Sequence, residues 1–243
     1  MARTAAALLI GNELLGGKVR DANLQPLARL LRRLGVQLRH VRVVLDDLPT
    51  IAHELRDLSA RHDLLFTSGG VGPTHDDVTL AAVASAFAVP LVVDPELEAT
   101  IREHFGPRTS EGHLAMARVP EGARLLHGPS PGWPAIAFRN LWVLPGLPEA
   151  FLDKLDIVAH HLTPDAPILS RAVYTGLDEG TLKPHLDAVV AAFPDVDVGS
   201  YPTWSDPDHH VKLTFDGTDP ARLDEALRAF CALLPPDAIS RVD

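Results

Sequence analysis

The chain has 243 residues, 46% of them hydrophobic, and a formal net charge of −10. That is enough apolar material for one large or two smaller cored domains, with no run long enough to span a bilayer. No basic block appears beyond Arg29, Arg32 and Arg33 on one helix, which argues against nucleic acid as a partner. A single cysteine, Cys231, excludes a disulfide framework within the chain and, with no export signal, points to the cytoplasm.

Residues 5–10 form a short apolar run. Gly11-Asn12-Glu13 follows where a signal peptide would need a cleavage region, so the run reads as a buried strand. After a loop over 11–17, Asp21 or Asn23 can cap a helix carrying Leu24, Leu27, Leu30, Leu31 and Leu34 at helical spacing. Gly35 ends it. Residues 36–45 alternate as a second strand ending at Asp46-Asp47. Residues 48–62 read as a helix with Ile51, Leu55 and Leu58 on one face, and 63–67 as the third strand.

That strand runs into Ser68-Gly69-Gly70-Val71-Gly72-Pro73-Thr74-His75-Asp76-Asp77, and a helix is predicted over 77–87. Glycines allow close approach of a ligand to the main chain, and a following helix offers unpaired N–H groups, which suit a phosphate. Asp76 and Asp77 stand at the rim, where carboxylates can hold a divalent metal beside that phosphate. Ser68 lacks the Gly-x-Ser-x-Gly surroundings of a nucleophile, so its hydroxyl is expected to bind phosphate instead. His75 is a further phosphate candidate.

The β-α-β-α-β-α rhythm predicts a parallel sheet covered by helices on both faces. In such sheets the ligand lies at the carboxyl ends of the strands, which brings Glu13, Asp46, Asp47, Asp76 and Asp77 toward one crevice. Further along, 91–93 is a short strand, 95–105 a helix, and 106–130 an irregular stretch of a length that suits a binding loop. Residues 135–138 and 141–144 make a hairpin, and Pro145-Gly146-Leu147-Pro148 is a rigid turn before a helix to about 161. A linker near 163–167 separates this first domain, 1–163, from a β-α-β-β-α module over 168–243, read as a packing or oligomerisation domain. His160-His161 and His209-His210 are adjacent pairs that cannot share a metal from one helix face or one strand face.

Gly11-Asn12-Glu13-Leu14-Leu15, Asp21-Ala22-Asn23, the stretch 67–79 and Leu144-Pro145-Gly146-Leu147-Pro148 occur in the order seen in the molybdopterin-binding domain family, which the chain therefore resembles. The string Gly-Gly-Val-Gly-Pro-Thr-His-Asp-Asp is most similar to the CinA-like branch and to the corresponding domain of FAD synthases. Gly199-Ser200-Tyr201-Pro202 resembles the same branch. Asn12 departs from the Asp or Thr usual there. The resemblance implies a three-layer α/β/α sandwich with a small C-terminal α+β module, binding a pterin or a nucleotide pyrophosphate. In Mog-type members the carboxylates matching Asp46 and Asp77 serve metal-assisted adenylyl transfer. CinA-like and FAD synthase members are associated with cleavage of ADP-ribose and FAD.

On this reading the expected ligand contacts are Gly11, Ser68, Gly69, Gly70, Val71, Gly72, Thr74, His75, Pro145 and Gly146. The expected metal ligands for Mg2+ or a similar cation are Asp46, Asp76 and Asp77, with Asp46, Asp77 and Glu13 catalytic. Three functions are open: a metal-dependent pyrophosphatase on an ADP-ribose- or FAD-like nucleotide, a molybdopterin or adenylyl-molybdopterin binder without hydrolysis, and a non-catalytic assembly module. A homo-oligomer is expected. The 243 residues leave no room for the amidohydrolase domain of many CinA proteins or the adenylyltransferase domain of FAD synthase, so neither activity is expected.

Overall fold

The computed structural model describes residues 3–243, which form two compact units, 3–165 and 166–243. In the first unit, β1 (Thr4–Ile10), β2 (Gln37–Val44), β3 (Leu64–Ser68) and β8 (Leu141–Leu144) are parallel neighbours in the order β2-β1-β3-β8. The antiparallel strands β7 (Ala135–Phe138) and β6 (Arg124–Leu126) extend that sheet to six strands.

Alternation along β1 separates the two faces. Ala5 and Ala7 pack with Leu27, Leu31, Phe151 and Leu155, which lie on α2 (Leu24–Arg33) and α7 (Pro148–His161). Ala6, Leu8 and Ile10 pack with Ile51, Leu55, Leu80 and Val83, on α3 (Leu48–Arg61) and α4 (Thr79–Phe87). The result is the expected three-layer α/β/α sandwich with a mostly parallel sheet.

Three local features differ from the sequence reading. The loop after β1 contains a four-residue helix, α1 (Asn12–Leu15), too short to show a period. The helix predicted from residue 77 starts at Thr79, because Asp77 N–H donates back to Thr74 O at 3.2 Å and closes a turn first. The stretch 106–130 is largely structured. It holds a 3-10 turn (Gly106–Arg108), α6 (Glu111–Ala115), β5 (Arg118–Pro120) and β6. β5 pairs with β4 (Leu91–Val93), which precedes α5 (Pro95–Phe105). Ser110 caps α6 by accepting from His113 N–H, an i,i+3 signal inside a segment of otherwise three- to five-residue elements.

The second unit is a four-stranded antiparallel sheet in the order β10-β11-β9-β12, formed by β9 (Leu169–Thr175), β10 (Asp197–Pro202), β11 (Val211–Gly217) and β12 (Ile239–Val242). Val173, Leu213 and Phe215 bury one face against Leu182 and Val189 of α8 (Glu179–Ala192) and Leu223 and Phe230 of α9 (Pro220–Cys231). The unit thus has its own core, plus a C-terminal strand that no sequence pattern announced. No helix among the described residues is long and apolar enough to cross a membrane.

Within β2 and at the C-cap of α3, His40 Nδ1 and His62 Nε2 lie 2.8 Å apart. Burial, then the neighbouring His40 and Arg61, push the His62 imidazole below its ordinary pKa, against weaker opposing pulls from Asp63 and Asp57. The unfolded chain therefore binds this proton first, so stability is lost as pH falls below about 6.5 toward the lower folded value. Thermal unfolding should show a fall in Tm between pH 7.5 and 5.5 that is smaller in His62→Gln. An equal fall in both proteins contradicts this assignment.

Candidate functional site

The carboxyl ends of β1, β2, β3 and β8 deliver Gly11, Asp46, Gly69 and Pro145 to one rim, as the topology rule requires. There they line a cleft of about 610 Å3. Gly69 N–H donates to Leu144 O at 3.1 Å, which extends the β3–β8 ladder by one residue. The chain then turns through Gly69 and Gly70, at φ 111° and 67°. A Cβ at Gly69 would overlap the Ile10 carbonyl, and one at Gly70 would overlap Thr79 Oγ1. Only glycine fits these two positions.

Thr79, fully buried, fixes the turn. Its hydroxyl donates to Gly69 O at 2.8 Å and its N–H to Gly70 O at 2.9 Å. Both carbonyls are thereby occupied by the start of α4. Among the described residues, the N–H groups of Gly70, Val71 and Gly72 have no acceptor. Three free main-chain donors along the rim of a cleft suit an anion.

The acidic side chains line the same cleft but are individually engaged. Asp46 Oδ2 accepts from Asn12 N–H at 2.8 Å, and Asn12 Oδ1 accepts from Asp46 N–H at 3.2 Å, which joins the loops after β1 and β2. The Glu13 carboxylate lies against Gly11. Asp77 Oδ2 accepts from Thr74 N–H at 2.8 Å and lies against Gly72. Asp76 Oδ1 accepts from the Thr74 hydroxyl at 2.6 Å, which holds its carboxyl below the usual range and keeps it ionised. Among the described residues, no group of three or more Asp, Glu, His or Cys is placed to hold a metal ion.

Gly11, Glu13, Asp46, Gly69, Gly70, Val71, Gly72, Thr74, Asp76, Asp77, Pro145 and Gly146 all face the cleft. Ser68 does not. It is buried beneath the turn, where its hydroxyl accepts from Asn23 Nδ2 at 2.9 Å and lies 3.4 Å from Pro145 O. His75 also stays outside, with its side chain 97% exposed. Asp47 is the N-cap of α3 instead, accepting from Thr50 N–H at 2.9 Å.

Several residues at the site escape sequence reasoning. Asn23 was expected only as a cap, yet its amide bridges Ser68 Oγ and Gly146 O, at 2.9 and 2.8 Å, while Asp21 accepts from Leu24 N–H. Leu97, Met116, Trp133, Ile136 and Lys154 line the cleft from segments far along the chain. The one available signal was that Lys154 is among only four lysines in the sequence.

Residues 6–165 match the family model described as a probable molybdopterin binding domain. The chain belongs to this family. Residues 167–243 match the model described as the FAD synthase middle domain. A "Probable FAD synthase" of Caenorhabditis elegans is 31% identical over 88% of this chain and 46% of its own length. A "CinA-like protein" of Desulfosudis oleivorans is 36% identical over 63% of this chain and 38% of its own. The chain thus spans about half or less of the length of these two relatives. Among solved structures, the protein CinA of unknown function from Thermoplasma acidophilum superposes with a TM-score of 0.61 at 30% identity, covering 66% of this chain and 98% of that one.

The buried Thr79 hydroxyl gives a direct check of the turn. Thr79→Val keeps the shape but leaves Gly69 O without its donor, at a cost of about 1–3 kcal/mol. Chemical denaturation should register that loss, together with weaker binding of inorganic pyrophosphate. Unchanged stability contradicts the pinning role.

Proposed function

We propose that the cleft binds a pyrophosphate-linked nucleotide and hydrolyses it. The observation that carries this reading is the row of three unpartnered N–H groups, Gly70 to Gly72, beside the carboxylates of Glu13, Asp46 and Asp77. An acidic protein binds phosphates through such fixed main-chain dipoles more readily than through a charged surface. The N–H groups hold the phosphate oxygens. Glu13 positions the attacking water or a ribose hydroxyl.

The donor set fits a hard divalent cation. Mg2+ is usually held by one or two carboxylates with phosphate oxygens completing its shell, so a preformed cage of three acidic groups is not required. Asp46 and Asp77, with Asp76 beside them, are the residues that would hold it. Such a cation neutralises charge on the phosphates and lowers the pKa of a bound water. In the overall step the water oxygen bonds to one phosphorus, the bridging P–O bond breaks, and the bridging oxygen leaves on the other phosphate. ADP-ribose would give AMP and ribose 5-phosphate; FAD would give AMP and FMN.

A second reading is favoured by the local bonds that already engage Asp46, Asp76 and Asp77: the cleft holds a pterin or its adenylylated form without cleaving it. Incubation with ADP-ribose or FAD and Mg2+ separates the two. The hydrolytic reading expects AMP release that disappears with a chelator and in Asp77→Asn, whose stability stays within about 1 kcal/mol of the parent. An unaltered rate in Asp77→Asn removes that carboxylate from the reaction. Tight binding with no AMP supports the second reading.

A further inference from the structure

The cleft has a second, chemically different part. Leu97, Met116, Trp133 and Ile136 line it. They pack with an apolar cluster centred on Ile101, Ala117 and Val119, and Ile136, on β7, also packs against the cluster on the α3–α4 face of the six-stranded sheet. Trp133 is held edge-to-face by His104 and Phe105, at centroid distances of 5.3 and 6.4 Å.

Lys154 reaches the same cleft from α7. Its Nζ donates to the Trp133 carbonyl at 2.6 Å, so it ties the apolar wall to that helix. Among the described residues, this ammonium has no carboxylate within ion-pair reach, although Asp153 favours its charge from a distance. Burial lowers its pKa. A partly desolvated cation bonded only to a carbonyl lacks the counter-charge that normally offsets its burial, and an anionic ligand entering the cleft would supply it. Next to that cation stands an apolar wall. A planar ring carried on a phosphate satisfies both, burying its faces on apolar and aromatic side chains while its charge meets the ammonium.

We propose that Leu97, Met116, Trp133 and Ile136 form a subsite for the planar heteroaromatic ring of the ligand, and that Lys154 binds its phosphate. This rests on the reading of the cleft as a pyrophosphate site, and it assigns the residues that select pyrophosphate-linked nucleotides bearing such a ring. Adenine and isoalloxazine share the chemistry.

Calorimetric titration with FAD, ADP-ribose, AMP, FMN and inorganic pyrophosphate, each in the presence of a chelator so that no ligand is cleaved, tests it. FAD and ADP-ribose should bind at least about tenfold more tightly than inorganic pyrophosphate. Met116→Gln should remove most of that advantage while leaving inorganic pyrophosphate within about twofold of the parent. Ile136→Ala, a milder change, should reduce the advantage in the same direction. Lys154→Met should weaken every phosphorylated ligand about tenfold, and Lys154→Arg should restore most of it. Lys154→Gln, which offers the Trp133 carbonyl a neutral donor without the charge, should stay as weak as Lys154→Met; recovery in Lys154→Gln would mark a merely structural tie and overturn the phosphate role. The AMP and FMN arms report which ring occupies the wall. Equal affinity of the parent for inorganic pyrophosphate, FAD and ADP-ribose overturns the ring subsite while sparing the phosphate site. Failure of the parent to bind any of the five overturns the underlying reading and the subsite with it.

Discussion

The turn after β3 must pass between the end of β1 and the turn after β8 with no room for a side chain. The Ile10 carbonyl occupies the place of a Gly69 Cβ, and Gly146 stands directly against the Gly69 Cα. Thr79 then takes both carbonyls of the turn, at Gly69 and Gly70, into bonds with the start of α4. With the carbonyls fixed on the protein side, Gly70, Val71 and Gly72 are left with N–H groups that no acceptor among the described residues satisfies. The anion-binding character of the cleft is therefore a consequence of backbone packing. It does not depend on a basic protein surface, which agrees with a chain of net charge −10.

The rest of the first unit serves to hold that turn still. Small alanines in β1 let helices pack closely on both faces of the sheet, and four parallel strands end at the same rim. Asn23 ties Ser68 to Gly146, and the Asn12–Asp46 pair ties the loops after β1 and β2. These bonds cross from loop to loop, so the floor of the cleft is braced from several elements. The local engagement of Asp76 and Asp77 with Thr74 keeps their carboxylates near the turn.

The sandwich was legible because its signals are local. The apolar runs of β1 and β3, the leucine spacing of α2 and the glycine string between β3 and α4 each lie within a few residues. The site was legible as far as topology carries, which is the set of strand ends. What escaped reading depends on long-range contacts or on elements too short for a period. Ser68 was expected to bind phosphate beside its glycines, but it is buried by Asn23 and Pro145 from opposite parts of the chain. Asp47 looked like a site carboxylate, but a cap bond to Thr50 claims it. Lys154 meets Trp133 only after the chain folds, and α1, α6 and β12 are four or five residues long.

The central claim is that bare main-chain N–H groups of the glycine turn capture the phosphates. Amide hydrogen exchange resolved by residue, with and without inorganic pyrophosphate and Mg2+, reads it most directly. The account predicts that exchange at Gly70, Val71 and Gly72 slows by about tenfold or more on ligand binding, while exposed loop amides in the second unit stay unchanged. Unaltered exchange at those three positions, with calorimetry showing the ligand bound, would contradict it.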